Sequence, residues 1–252
     1  MYLYYTQGNK NEFHFYRCPS CTIVSYEGDC SHDQHKYELS LLNAEKIIKM
    51  RKHAEQTYAF IRRSVPEKKG TMIDVGCGSG ELIVIAHQDG WVVKGLELSS
   101  VYVDYIKKHH AITVIQEDFF NFRDSDSVVY DVVVMRHVLE HLQYPILALF
   151  KIKSLLAPDG IVVLEFPNID APELRLKRFL HRTGLHKKRY PEDYKPGHCT
   201  EFCRDSFHYL LEKTGFDLII WQTYASRYPA NFIYNRIPWG NKVRTIIKNK
   251  TY

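Results

Sequence analysis

Apolar and polar positions repeat on two different periods along this chain, and the change of period marks its parts. Short β-branched runs at 72–75, 91–96, 112–115, 128–134 and 161–164 are separated by segments near 80–89, 99–109 and 144–156 with apolar residues at helical spacing. This alternation predicts βαβ units on a parallel sheet. Asp89-Gly90 and Pro158-Asp159-Gly160 punctuate it as turns. After Pro167 the alternation breaks, and residues 168–203 form a connection too long for a simple loop, hence functional or partly helical. A helix over 204–214, stopped by Gly215, and two strand-like runs at 216–223 and 231–237 close the chain. Upstream, residues 37–65 carry Leu39, Leu42, Ile47, Ile48, Tyr58 and Ile61 at helical spacing up to Pro66, which predicts one long helix. The first 36 residues have no helical period, and Tyr2, Tyr4, Tyr5, Phe13, Phe15 and Tyr16 read as the core of a small sheet. No internal repeat is visible.

Composition narrows the class without choosing it. The chain has 252 residues, 45% hydrophobic and 25% charged, which suits one large domain with an appendage and excludes disordered or collagen-like chains. Six cysteines at this length do not make a disulfide scaffold. The N-terminus has no basic segment followed by an apolar one, and no apolar stretch approaches the roughly 20 residues that span a bilayer, which predicts a cytoplasmic protein without a transmembrane segment. A net charge of +5 is mildly basic and selects no partner by itself.

The sharpest chemical signal is Ile73-Asp74-Val75-Gly76-Cys77-Gly78-Ser79-Gly80-Glu81, placed where a strand runs into a helix. Glycines there permit a tight turn and close approach of a ligand to the backbone. A dinucleotide fingerprint wants its third glycine where Glu81 stands, and an acidic residue at a helix N-terminus opposes a pyrophosphate. Glu97 ends the next strand 21 residues after Gly76, where a carboxylate accepts ribose hydroxyls. With Gln116-Glu117-Asp118-Phe119, the run Arg136-His137-Val138-Leu139-Glu140-His141-Leu142, and Leu156-Ala157-Pro158-Asp159-Gly160, the series resembles the class I S-adenosylmethionine-dependent methyltransferases, in the small-molecule subgroup with a V-L-E-H-L signature. The matches run in order from about residue 72 to about residue 220.

That resemblance implies an α/β fold, a Rossmann-like doubly wound, seven-stranded, mostly parallel sheet with a small β-rich N-terminal appendage. It implies S-adenosylmethionine as cofactor, held by Asp74, Gly76, Gly78, Gly80, Glu97, Leu98, Asp118, Phe119 and Arg136. Asp118 would meet the adenine amino group and Phe119 the ring. Read singly, Asp74 also serves as a cap of the loop, Asp118 as a turn residue and Arg136 as an exposed cation. Methyl transfer depends largely on positioning, and an oxygen acceptor also needs a base. His137 and His141 follow the fourth strand, and His198 lies where related methyltransferases often carry a histidine. These three are the candidate catalytic residues, with His198 preferred as base and His141 read as a packed or capping residue ahead of a catalytic one.

The 168–203 segment follows the fifth strand and should shape the acceptor pocket. Its Arg175, Lys177, Arg178, Arg182, Lys187, Lys188 and Arg189 read equally as a solvated face or as the contact for an anionic acceptor, such as a phosphorylated or nucleotide-linked sugar, or for anionic lipid at a membrane surface. Tyr16-Arg17-Cys18-Pro19-Ser20-Cys21 resembles the second knuckle of a zinc ribbon, as in some sugar methyltransferases, but the first pair is missing. Cys30, His32 or His35 would have to complete a site with Cys18 and Cys21, so bound zinc is the lesser expectation. Cys199 and Cys203 read as two buried thiols at a helix start, and Cys77 as a small residue that fits its loop. The domain expectation is 1–36 as a ribbon-like segment and 37–252 as the methyltransferase domain. The leading function is methylation of a small polar acceptor, oxygen favoured. An RNA methyltransferase and a non-catalytic cofactor-binding module are the alternatives, the former without any RNA-binding motif to support it.

Overall fold

Val-, Ile- and Leu-rich runs become strands wherever they can be buried on both faces, as parallel strands require. The computed structural model of the chain describes residues 1–28, 42–65, 69–124, 128–185, 189–225 and 239–250. In chain order the elements are β1 (Tyr2–Gln7), β2 (Phe13–Arg17), β3 (Val24–Tyr26), α1 (Ala44–Ser64), β4 (Thr71–Val75), α2 (Glu81–Gln88), β5 (Val92–Glu97), α3 (Ser100–His109), β6 (Val114–Gln116), β7 (Tyr130–Arg136), a 3-10 turn (Leu139–His141), α4 (Pro145–Leu155), β8 (Leu156–Pro167), α5 (Pro172–Arg182), β9 (Thr200–Glu201), α6 (Arg204–Thr214), β10 (Phe216–Tyr224) and β11 (Lys242–Asn249). Seven strands form one sheet in the order β10-β11-β8-β7-β4-β5-β6, and four form a second in the order β1-β2-β3-β9. This is the expected mostly parallel, seven-stranded α/β architecture with a small additional sheet. Among the described residues no helix is long and apolar enough to cross a membrane.

The chain divides into two compact units. One comprises Asp33–Arg136 with Phe150–Val163. In it β4 pairs parallel with β5 and β7, and β5 parallel with β6. Met72, Ile73, Leu82, Ile83, Val103, Ile106 and Val132 are fully buried around these strands. Helix α1 starts where the Asn43 side chain accepts a hydrogen bond from Lys46 N at 3.0 Å, satisfying one of the helix's orphan donors. The part of the expected helix before residue 42, and Pro66, lie outside the described residues.

The other unit comprises Met1–His32, His137–Leu149 and Leu164–Tyr252. Strands β1, β2, β3 and β9 pair antiparallel around Phe15, Val24, Ile169 and Cys203, with the Tyr5 and Phe15 rings stacked 4.5 Å apart. The N-terminal aromatics thus share a sheet with a strand from the 168–203 segment, which is partly helical, through α5, as expected. Phe166, Phe202, Phe207 and Trp221 form a second aromatic core.

Two expectations need correcting. Pro158-Asp159-Gly160 lie inside β8 rather than in a turn; Pro158 and Asp159 are exposed near the strand's start, where a missing N–H is tolerated. The strand-like run 231–237 falls outside the described residues, and the last described strand is β11, which the pattern did not reveal. Lys242 and Arg244 hide it from a hydropathy reading, yet Arg244 is buried, its Nε donating to the equally buried Glu165, which also accepts from Tyr224 Oη at 2.9 Å. Finally, Cys199 and Cys203 do not share a helix. Cys199 precedes β9, while Cys203 is the N-cap of α6.

Candidate functional site

Two groups of residues stand out, one in each unit. In the first, β4 ends in a loop whose Gly76, Gly78 and Gly80 all have left-handed backbone, with φ of 69°, 56° and 80°. Only glycine adopts this freely, and three of them turn the chain sharply enough to start α2 at Glu81. At Gly78 no heavy atom lies within 4 Å of where a Cβ would stand, so the space over the loop is open. Gly78 N donates to Glu97 Oε2 at 2.7 Å, and Ser99 N donates to Glu97 Oε1 at 3.0 Å. The carboxylate at the end of β5 is therefore held by backbone N–H groups on both sides.

Asp74 is fully buried and pairs with Arg136 Nη2 at 3.1 Å, so Arg136 is not the exposed cation that the sequence left open. Asp118 follows β6, and its Oδ1 accepts from Phe120 N at 2.8 Å, the side-chain-closed turn that suits an aspartate. Phe119 is buried against Phe120, and Leu98 is 66% exposed. Glu81 is buried and pairs with Arg51 of α1 at 3.4 Å. The thiol of Cys77 is pushed well up, first by burial and then by the charges of Asp74 and Glu97.

The second group surrounds a cavity of about 710 Å³. Tyr4, Tyr5 and Phe15 of the small sheet line one side, Leu174, Arg178 and His181 of α5 another, and Tyr190, Tyr194, His198 and Glu201 the rest, with His141 beside them. The basic residues of α5 are largely engaged by the protein itself. Arg178 donates to Ile169 O and lies over the Tyr4 ring, Arg182 donates to Tyr4 O, and Lys177 pairs with Glu173. Lys187 and Lys188 lie outside the described residues.

The three candidate histidines separate here. His137 adopts a left-handed backbone at φ 55°, its N donating to Glu165 O at 2.7 Å. Both its ring nitrogens are engaged, Nδ1 with Glu140 Oε1 at 3.1 Å and Nε2 with Lys242 Nζ at 3.4 Å. His137 is not among the cavity residues, whereas His141 and His198 are, with ring centroids 5.2 Å apart. The Gly197 carbonyl can only accept, so His141 Nδ1–H donates to it and the lone pair of the neutral ring is left on Nε2. Burial depresses the His141 pKa, and the positive charge of His198 adds to that effect against the pull of Glu140. Burial also acts to lower His198, but Glu201, which pairs with its Nδ1 at 3.2 Å, outweighs it and raises the pKa. Tyr5 Oη donates to the other Glu201 oxygen at 2.7 Å.

Glu140 between them is 1% exposed. Burial raises its pKa, but the hydrogen bond from His137 and the charges of His137, His141 and His198 prevail and hold it below the usual carboxylate range. Cys199 staples the 3-10 turn in place, its N donating to Glu140 O at 2.9 Å and its Sγ to His141 O at 3.0 Å. In the sequence Glu140 stands within V-L-E-H-L with no role of its own, and a carboxylate inside an apolar run is the signal that marks it. Tyr5 and Glu201, 196 residues apart, gave none.

Cys18 and Cys21 sit on a tight turn in which Thr22 N donates to Cys18 O at 3.0 Å. Hydrogen bonds from Cys21, backbone first and then thiol, lower the Cys18 pKa, while burial raises that of Cys21. Among the described residues no third histidine, cysteine or carboxylate joins them in a metal-sized group. Cys30, His32 and His35 lie outside the described residues.

Over 107 residues the chain is 31% identical to the ubiquinone biosynthesis O-methyltransferase of Haemophilus ducreyi, a match covering 38% of this chain and 45% of that protein. The chain thus spans less than half the length of the first curated relatives it matches. The magnesium protoporphyrin IX methyltransferase of Synechocystis PCC 6803, solved with bound SAH, superposes with a TM-score of 0.56 at 15% identity over 83% of this chain and 88% of that one. A S-adenosylmethionine-dependent methyltransferase from Clostridium acetobutylicum ATCC 824 superposes with a TM-score of 0.59 at 9% identity, covering 87% of this chain and 100% of that one. Identities this low speak for the fold alone. Residues 49–220, more than half of the chain, match the family model described as a methyltransferase domain, and the chain belongs to that family.

Proposed function

We propose that the chain transfers a methyl group from S-adenosylmethionine to an oxygen of a small acceptor. The open cradle over Gly78, together with the fixed Glu97 carboxylate, fits that cofactor. Glu97 would receive the ribose hydroxyls, Asp118 and Phe119 the adenine, and Gly76, Gly78 and Gly80 would let it approach the backbone. Asp74 and Arg136 would set the charge beneath the loop, and Leu98 would lie along the cofactor's exposed side. When bound, S-adenosylmethionine supplies a methyl on a sulfonium, an already good leaving group.

The observation that carries the acceptor reading is the His141–His198 pair on the wall of a cavity otherwise rich in aromatic rings. Tyr4, Tyr5, Phe15, Tyr190 and Tyr194 suit an acceptor with a flat apolar face, an arene or one side of a sugar, while the histidines receive its hydroxyl. His137 acts as a positioning residue for Glu140. Of the basic residues along the cavity, Lys177 is paired with Glu173, whereas Arg178 and Arg182 bond to neutral backbone carbonyls and keep their charge. The O-methyltransferase names of the curated relatives support oxygen as the acceptor atom. In this reading residues 37–252 are the methyltransferase domain, and β1 and β2 with the 168–203 segment line the acceptor cavity.

Calorimetric titration with S-adenosylmethionine and S-adenosylhomocysteine tests the donor half. Binding that Glu97→Ala weakens about 10- to 100-fold is expected, since one hydrogen bond from a ribose hydroxyl to the carboxylate is worth roughly 1.5–3 kcal/mol. A folded wild type that binds neither compound overturns the proposal.

A further inference from the structure

We propose that Glu140, His141 and His198 form a divalent-cation site on the wall of the acceptor cavity. Their ligand atoms lie within 4.8 Å of one another. Four further observations make this more than proximity. Glu140 is 1% exposed, and its Oε2 is buried with no hydrogen-bond partner among the described residues, while Oε1 is taken by His137. A carboxylate oxygen left bare in such a place costs free energy unless something positive meets it.

Each histidine uses Nδ1 for a second interaction, His141 with the Gly197 carbonyl and His198 with Glu201. A backbone carbonyl and a carboxylate are the groups that orient metal-ligating histidines and fix their tautomer, leaving Nε2 to the metal. The ring centroids stand 5.2 Å apart at 75°. Two imidazoles on one ion, with metal–nitrogen bonds of about 2.0–2.1 Å, place their centroids about 5 Å apart. Lastly, the ligands come from two segments that Cys199 ties together, by its bonds to Glu140 O and His141 O, so they are arranged before any ion arrives.

Two imidazoles and one carboxylate with the remaining positions open toward a cavity suit a borderline divalent ion, such as zinc, cobalt, iron or manganese, better than magnesium, which prefers oxygen. An acceptor hydroxyl on the open side would lose its proton to solvent more readily, because the cation stabilises the oxygen anion left behind. No redox change is involved. This inference deepens the reading of the acceptor site and rests on it for its role, but not for its test.

The test is calorimetric titration of chelator-treated protein with Zn2+ and with Co2+, the latter also followed by visible absorption, without methyl donor or acceptor. The Cys18→Ser/Cys21→Ser double variant is titrated in parallel, so that thiolate-bound ions are counted separately. One ion per chain is expected in both proteins. Glu201→Gln should weaken its binding about 10- to 100-fold, as loss of an outer partner does, and His198→Ala more. Should Glu140→Gln fail to fold by circular dichroism, His198→Ala, at a half-buried position, still decides. Absence of binding in folded protein, binding lost with the cysteines, or binding unchanged in His198→Ala overturns the site. Any of these leaves methyl transfer standing, since that is judged by donor binding.

Discussion

Cys18 and Cys77 are both small thiols in loops, yet their surroundings set them apart. Cys18 accepts hydrogen bonds from Cys21 that stabilise its thiolate, and its pKa falls. Cys77 is 3% exposed and faces the carboxylates of Asp74 and Glu97, so its pKa rises well above the ordinary thiol range. A lower pKa means a larger thiolate fraction at neutral pH, and the thiolate is the nucleophile. Brief iodoacetamide labelling at pH 7, read by peptide mass spectrometry, should therefore modify Cys18 ahead of Cys77. Equal or earlier labelling of Cys77 would show that the glycine loop opens in solution. Glu140 makes the same point for carboxylates. Its position between two histidines could be read in the sequence, but its burial could not, because burial depends on Cys199 and His198, some sixty residues away.

At the scale of elements, the turn from β4 into α2 assigns different tasks to its glycines. At Gly80 a Cβ would stand 2.9 Å from Ile106 of α3, on a backbone at φ 80°. Gly80→Ala should cost about 1–3 kcal/mol through strain and crowding, seen as a lower Tm. At Gly78 the backbone is also left-handed but the Cβ would meet nothing. Gly78→Ala should cost about 1–2 kcal/mol of backbone strain and weaken donor binding beyond what that strain explains, because the methyl intrudes on the cradle. A donor affinity unchanged in folded Gly78→Ala would mean that the cofactor does not lie over this loop. These glycines were legible as a motif, since a strand-to-helix turn of this sharpness admits few other residues. Strand β11 was not. Its Arg244 is tolerated only because Glu165 neutralises it and Tyr224 completes the network, and such cross-strand compensation has no trace in local hydropathy.

For the whole molecule, the glycine loop and the cavity belong to different compact units, each with its own core. Perturbations of the acceptor side should therefore leave donor binding intact. Tyr5→Phe removes the proton that Tyr5 Oη gives to Glu201 and so loosens the group that orients His198. The expected result is a rise of about tenfold in acceptor KM, on the order of the 1–3 kcal/mol lost when a buried polar group loses its partner, with the Kd for S-adenosylmethionine unchanged. A matching loss of donor affinity would mean that the variant disturbs the fold and not the cavity alone. The parallel sheet, the glycine loop and the carboxylate that ends β5 were legible in the order of residues. These rest on local periodicity and on spacings within one βαβ unit, which short-range sterics control. Packing between distant segments sets the surroundings of the three histidines, the wall that Tyr5 and Phe15 lend to the 168–203 segment, and the burial of Glu140. Those depend on side chains brought together from as much as 196 residues apart, and there the energy lies in contacts that chain order does not encode.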